Sequence, residues 1–180
     1  MRVYRHGLLK TFIRESIANL IQQYMKILFL SIGKANEPYV ADGIALYTKR
    51  ISHYFPVEWT IIPPPKGTGF TALEQKEREA ASIRQLLKEG DYLVALDEGG
   101  KALTSVALSE FIEQRAGSSI KRIIFLIGGA YGLDQNLLNS AAFKWSLSTL
   151  TFPHQLVRLI LSEQIYRACT ILRNEKYHHR

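Results

Sequence analysis

The sequence predicts an α/β fold, a mainly parallel sheet covered by helices on both faces. Three observations carry this expectation. From Met25 onward, short apolar runs alternate with longer amphipathic ones. The intervening helical stretches are long enough to serve as crossovers between parallel strands, which are right-handed almost without exception. A chain of 180 residues, 47% hydrophobic and 22% charged, has the size and composition of one domain with an adequate core.

The elements follow in order. Lys26 to Ile32 reads as a strand, Pro38 to Tyr54 as a helix opened by proline, Val57 to Ile62 as a strand, and Thr71 to Lys88 as a charged helix. Tyr92 to Leu96 is the next strand, with Asp97 to Lys101 expected as a charged turn leaving the sheet. Thr104 caps a helix to Arg115, Arg122 to Ile127 is a strand, and Asp134 opens a short helix to Ala142. Lys144 to Leu150 reads as the last strand, and Gln155 to Leu172 closes as a helix after Pro153. The longest apolar runs are strand-sized, far below the ~20 residues of a membrane-spanning helix, so a soluble protein is expected.

Residues 25–180 are expected to form this domain, with residues 1–24 as an extension. In the extension Leu8, Leu9, Phe12, Ile13, Ile17, Leu20, Ile21 and Tyr24 share one helical face, and Arg2, Arg5, Lys10 and Arg14 stand against only Glu15. An inherited upstream start, a loosely attached helix and a targeting presequence all fit that pattern. The single cysteine, Cys169, excludes an internal disulfide and sits among apolar helical neighbours, which points to a core thiol and a reducing cytoplasm. None of the five histidines forms a metal-gathering pair, so no metal is expected. A net charge of +7 favours a polyanionic partner without identifying it.

In parallel sheets, ligands gather beyond the carboxyl ends of strands. Three such ends draw notice here: Asp97-Glu98-Gly99-Gly100, Gly128-Gly129-Ala130-Tyr131-Gly132 and Thr149 to His154. The glycines lack the order of a dinucleotide fingerprint or a P-loop. Asp97 and Glu98 are adjacent on a strand and are expected on opposite faces, which argues against a carboxylate pair, although their backbone could line a pocket. Around the third end, Ser146, Ser148, Thr149 and Thr151 offer hydroxyls, and His154 and Arg158 are one helical turn apart.

Four ordered motifs then resemble one family. I-G-G-A-Y-G-L at Ile127 to Leu133, S-L-S-T-L-T-F-P-H-Q-L-V-R at Ser146 to Arg158, E-Q-I-Y-R-A at Glu163 to Ala168 and Y-H-H at Tyr177 to His179 look like RlmH, SPOUT-class methyltransferases acting on N3 of a pseudouridine in 23S ribosomal RNA. The resemblance runs from Met25 to the C-terminus. It implies a cytoplasmic homodimer with a C-terminal trefoil knot that binds S-adenosyl-L-methionine and acts on 23S rRNA within the ribosome, without membrane or metal. By motif matching, Leu96, Gly128, Leu147, Ser148, Thr149, Leu150, Thr151 and Phe152 would hold the cofactor. His154, Arg158, Tyr177 and His178 would serve catalysis: a histidine as proton acceptor, Arg158 on the anionic base or a phosphate, and Tyr177 in the RNA pocket.

Residue-level readings remain beside these. Glu163 and Arg167 at i, i+4 fit a helix-surface ion pair, and Tyr177 to Arg180 fit a frayed tail. Lys49, Arg50, His53, Tyr54 and Lys66, with Arg173, Lys176 and Arg180, could form an RNA-facing surface across a dimer. A knotted methyltransferase for another RNA base and a noncatalytic RNA-binding module are the alternatives at this point.

Overall fold

The computed structural model describes residues 25–34 and 36–178; the extension assigned to residues 1–24 lies outside the described residues. Five strands, β1 (Lys26–Ile32), β2 (Val57–Ile62), β3 (Tyr92–Ala102), β4 (Arg122–Ile127) and β5 (Phe143–Ser146), form one sheet in the order β2-β1-β4-β3-β5. Every pairing among them is parallel. The helices are α1 (Pro38–Ile51), α2 (Ala72–Arg84), α3 (Ser105–Ala116), α4 (Gln135–Ser140) and α5 (His154–Leu172).

The apolar strand runs bury both faces because successive side chains point to opposite sides. Ile27, Phe29, Val94, Ile123 and Phe125 join the core beneath α1, α3 and α5. Their alternates Leu28, Leu30, Leu93, Ala95, Ile124 and Leu126 meet Ala80 and Ile83 of α2 and Leu137 and Leu138 of α4. A one-residue slip in any central strand would exchange these two sets.

The helix starts are where the sequence places them. Thr71 caps α2 with a reciprocal bond from Glu74, Thr104 accepts from Ala107 N at 3.1 Å, and Asp134 accepts from Leu137 N at 3.1 Å. The last helix, α5, packs on both α1 and α3. Its Leu161, Ile165, Ala168 and Cys169 are fully buried along one face, and burial pushes the Cys169 thiol pKa upward. At Gly43 of α1 a β-carbon would lie 2.7 Å from Leu159 Cδ1, so α5 occupies the space of a side chain there. The chain thus leaves the sheet at the β5 edge, and α5 packs back between α1 and α3 on one face.

Several expected boundaries change: α1 stops at Ile51 rather than Tyr54 and α4 at Ser140 rather than Ala142. The strand β3 does not end in a turn at Leu96: it continues to Ala102, with Leu96 and Lys101 both paired to Trp145 and the residues between them bulged out. Gly100 permits this, since a β-carbon there would meet Lys144 C and Trp145 N at 2.7 Å. The strand β5 stops at Ser146 rather than Leu150, and α2 stops at Arg84 rather than Lys88. Among the described residues no helix is long and apolar enough to cross a membrane.

Candidate active site

The order β4-β3-β5 brings the three strand ends side by side, because Leu96 pairs with Ile127 on one flank and Trp145 on the other. Between the loops that follow lies a cavity of about 560 Å³, within the usual range for a small-molecule or cofactor site. Each loop is shaped by its own residues. Gly128 would place a β-carbon 2.8 Å from Gly132 C and 3.0 Å from Leu133 N, so the chain folds back too tightly for a side chain. Gly132 takes φ +79° and donates its N–H to Gly129 O at 2.9 Å, closing that turn. In the third loop Ser146 Oγ donates to Ser148 O at 3.0 Å, and Ser148 Oγ accepts from Leu150 N at 2.9 Å. The Ser146 hydroxyl proton and one lone pair of Ser148 Oγ therefore hold the loop, while the Ser148 O–H remains a donor.

Most of the residues expected at the cofactor site meet there. Leu96, Gly128, Leu147, Ser148, Leu150, Thr151 and Phe152 line the cavity, as does His154, an exposed imidazole on its lip. Leu150 is 70% exposed, a large apolar side chain on the wall with nothing over it. Beyond Ser146 the ladder has ended, so the backbone of residues 147–152 lies outside the sheet's own pairing. Thr149 is exposed and does not line the cavity, which removes it from the expected wall.

Arg158 is a second correction. It is 1% exposed and faces the core side of α5, with Nε donating to Ser31 Oγ at 2.9 Å and Nη2 to Ile32 O at 3.2 Å. Its Nη1 donates to Lys34 O at 2.9 Å and Asn36 Oδ1 at 2.7 Å. The guanidinium is thus spent on the loop after β1 and is not presented to a phosphate or a base. Burial lowers its pKa, and Gly33 leaves it room, since a β-carbon there would lie 2.3 Å from Nη2. Gln155 supports the same loop by accepting from Glu37 N at 2.6 Å.

Tyr177 and His178 also lie off the cavity of their own chain. The C-terminal segment folds back along α5, where Tyr177 donates to Glu163 Oε1 at 3.0 Å and packs its ring 4.7 Å from that of Tyr166. Arg167 pairs with Glu163 and stands 4.8 Å from the Tyr177 ring centroid. Glu163 and Arg167 are therefore an anchor for the tail, more than a surface pair. Burial, then hydrogen bonds with Tyr47 and Glu163, hold the Tyr177 phenol pKa above its ordinary value. Tyr54, which donates to Glu175 at 2.5 Å, and Arg50, whose guanidinium lies 5.4 Å from the Tyr166 ring centroid, join the same aromatic cluster. The tail is docked rather than frayed as far as His178; His179 and Arg180 lie outside the described residues.

Other residues reach the cavity with little warning from sequence. Asp97 and Glu98 both line it, because the bulge in β3 breaks the strict alternation that assigned them to opposite faces. Lys76 arrives from α2 and Gln135 from α4. On a charged amphipathic helix Lys76 reads like any solvated lysine, and nothing local marks it.

A family model described as "Predicted SPOUT methyltransferase" matches residues 25–178. The ribosomal RNA large subunit methyltransferase H of Cytophaga hutchinsonii is 44% identical over 155 residues, 86% of this chain and all of that protein. Its counterparts in Parabacteroides distasonis and Christiangramia forsetii are 45% and 43% identical, covering 86% and 87% of this chain and 99% and 100% of theirs. Among solved structures, the SpoU methyltransferase AviRb from Streptomyces viridochromogenes, in complex with AdoMet, is a distant likeness: TM-score 0.42 and 12% identity over 86% of this chain and 60% of that one. The chain belongs to the RlmH family of SPOUT methyltransferases, enzymes that use S-adenosylmethionine.

Proposed function

We propose that this protein methylates N3 of a pseudouridine in 23S ribosomal RNA on the assembled ribosome, acting in the cytoplasm as a homodimer, with residues 25–180 as the working unit. The observation that carries the reading is the convergence of the three strand-end loops on one cavity with His154 at its lip. The names of the relatives, large subunit ribosomal RNA methyltransferases, supply the class of RNA.

The residues present fit S-adenosylmethionine. Glycine bends at Gly128 and Gly129 let backbone approach a folded ligand, Leu150 and Leu96 offer apolar surface to adenine, and residues 147–152 carry backbone donors and acceptors outside the sheet ladder. When bound there, the cofactor supplies an electrophilic methyl group. The protein's task is to hold the target nitrogen in line and to take its proton. N3 of pseudouridine is weakly acidic, and the exposed imidazole of His154 is the base we assign to it. Arg158 acts at one remove, by fixing Ser31 to Asn36 beside the first turn of α5. Tyr177 and His178, docked away from their own cavity, are assigned to the target pocket across the dimer.

Replacing His154 with glutamine should lower single-turnover methyl transfer about a hundredfold. Affinity for S-adenosylhomocysteine, measured by calorimetry, should stay within about twofold of wild type; unchanged turnover would remove His154 from the mechanism. The function itself is tested by mass spectrometry of ribosomal RNA from cells with and without the gene. One pseudouridine should lose a methyl group. An unchanged 23S rRNA, or a methyl group lost from another base or from tRNA, would replace this substrate.

A further inference from the structure

Among the described residues, three charged residues are buried as a whole, and two are well partnered: Asp134 with Arg84 and the α4 cap, and Arg158 with four acceptors. The third, Glu79 of α2, is 4% exposed. It accepts one hydrogen bond, from Gln75 Nε2 at 2.9 Å, and no cation of the described residues pairs with it. A carboxylate so placed is expensive to bury, and an apolar residue would fill the same volume at less cost.

Its position is specific. A β-carbon on Gly129 would lie 2.5 Å from Glu79 Oε2 and 2.6 Å from Oε1, so the carboxylate occupies the space of the missing side chain. Gly129 is itself part of the cavity wall. The carboxylate therefore abuts that wall from the side away from the cavity.

We infer that Glu79, behind a wall that Asp97, Glu98 and Lys76 also line, adds to the cavity's preference for a cationic occupant, favouring the sulfonium of S-adenosylmethionine over the neutral thioether left after transfer. The inference rests on the assignment of this cavity to the cofactor. As the methyl group moves from sulfur to the target nitrogen, sulfur keeps the electron pair of the broken bond and loses its positive charge, while the N3 proton passes to the base. The attraction of Glu79 for the occupant falls at that moment, which aids product exchange.

The test is calorimetry on the full chain with three probes: S-adenosylmethionine, S-adenosylhomocysteine and sinefungin, which carries a protonated amine where the sulfonium stands. Glu79→Gln keeps the shape and the Gln75 bond and removes only the charge. It should weaken S-adenosylmethionine and sinefungin by about tenfold, and S-adenosylhomocysteine by less than about twofold. Glu79→Met, of matching volume and without a polar atom to satisfy, gives the same readout should the glutamine variant fold poorly. Gly129→Ala, which drives a methyl group into the carboxylate, should weaken all three probes alike. Equal loss for every probe in Glu79→Gln, or no loss, overturns the inference and leaves the cavity assignment standing. Wild-type protein that binds none of the three overturns the assignment and this inference together.

Discussion

Truncating Arg158 to alanine lowers the unfolding free energy by about 3 kcal/mol in urea denaturation, the largest stability effect expected of any single residue at the site. The guanidinium is buried, and its donors reach four acceptors spread over the stretch from Ser31 to Asn36. Without it, Ile32 O is left with the Ser31 hydroxyl alone at 3.2 Å, Lys34 O and Asn36 Oδ1 each lose a donor, and the space once filled by the side chain adds a cavity term. Lysine restores little, since one ammonium on a flexible stem cannot span acceptors that the planar fork reaches from three nitrogens. Methyl transfer falls further than cofactor affinity, because the anchored loop and the first turn of α5 stand together through Gln155 and Glu37. A loss below about 1 kcal/mol would mean that the loop holds itself.

Replacing Gly128 with valine removes measurable binding of S-adenosylhomocysteine, a loss of more than about a hundredfold by calorimetry. The added β-carbon alone would stand 2.8 Å from Gly132 C and 3.0 Å from Leu133 N and Cγ. Two of those three atoms are backbone, and the Gly132 N–H to Gly129 O bond together with φ +79° at Gly132 keeps the turn closed. The wall must therefore move into or away from the cavity. The β4 core below, Ile123 to Leu126, is fully buried and held by its pairing with β1 and β3, so far-UV circular dichroism should stay native-like while binding is lost. Retained affinity in a folded variant would take Gly128 out of the cofactor wall.

Much of the fold is legible in the sequence. Apolar runs with a single possible reading, such as Arg122 to Ile127, and helix starts marked by Thr71, Thr104 and Asp134 are local signals with local causes. The bulge in β3 is not, because it depends on β5 pairing with both Leu96 and Lys101, a contact some fifty residues away in the chain. That one feature also misdirected the reading of Asp97 and Glu98.

The candidate site divides the same way. The loop at 147–152 and the glycines after β4 announce a close-approach wall through residue type alone. Arg158 does not announce its burial: its sequence neighbours would suit an exposed cation equally, and only the meeting of α5 with the loop after β1 shows which acceptors it serves. Tyr177 carries the same lesson, since its docking on Glu163, Tyr166 and Tyr47 is set by the path of the tail along α5.

By itself the sequence determined the class of fold, the strand ends at which a ligand gathers and, through four motifs, the family. These follow from periodicity, capping and glycine placement, which act over a few residues. Tertiary structure alone decided which charges face the cavity, which stand behind it and which are consumed in holding it. Burial and hydrogen-bond partnership come from segments distant in the chain, and for Glu79 and Arg158 no neighbour in sequence carries that information.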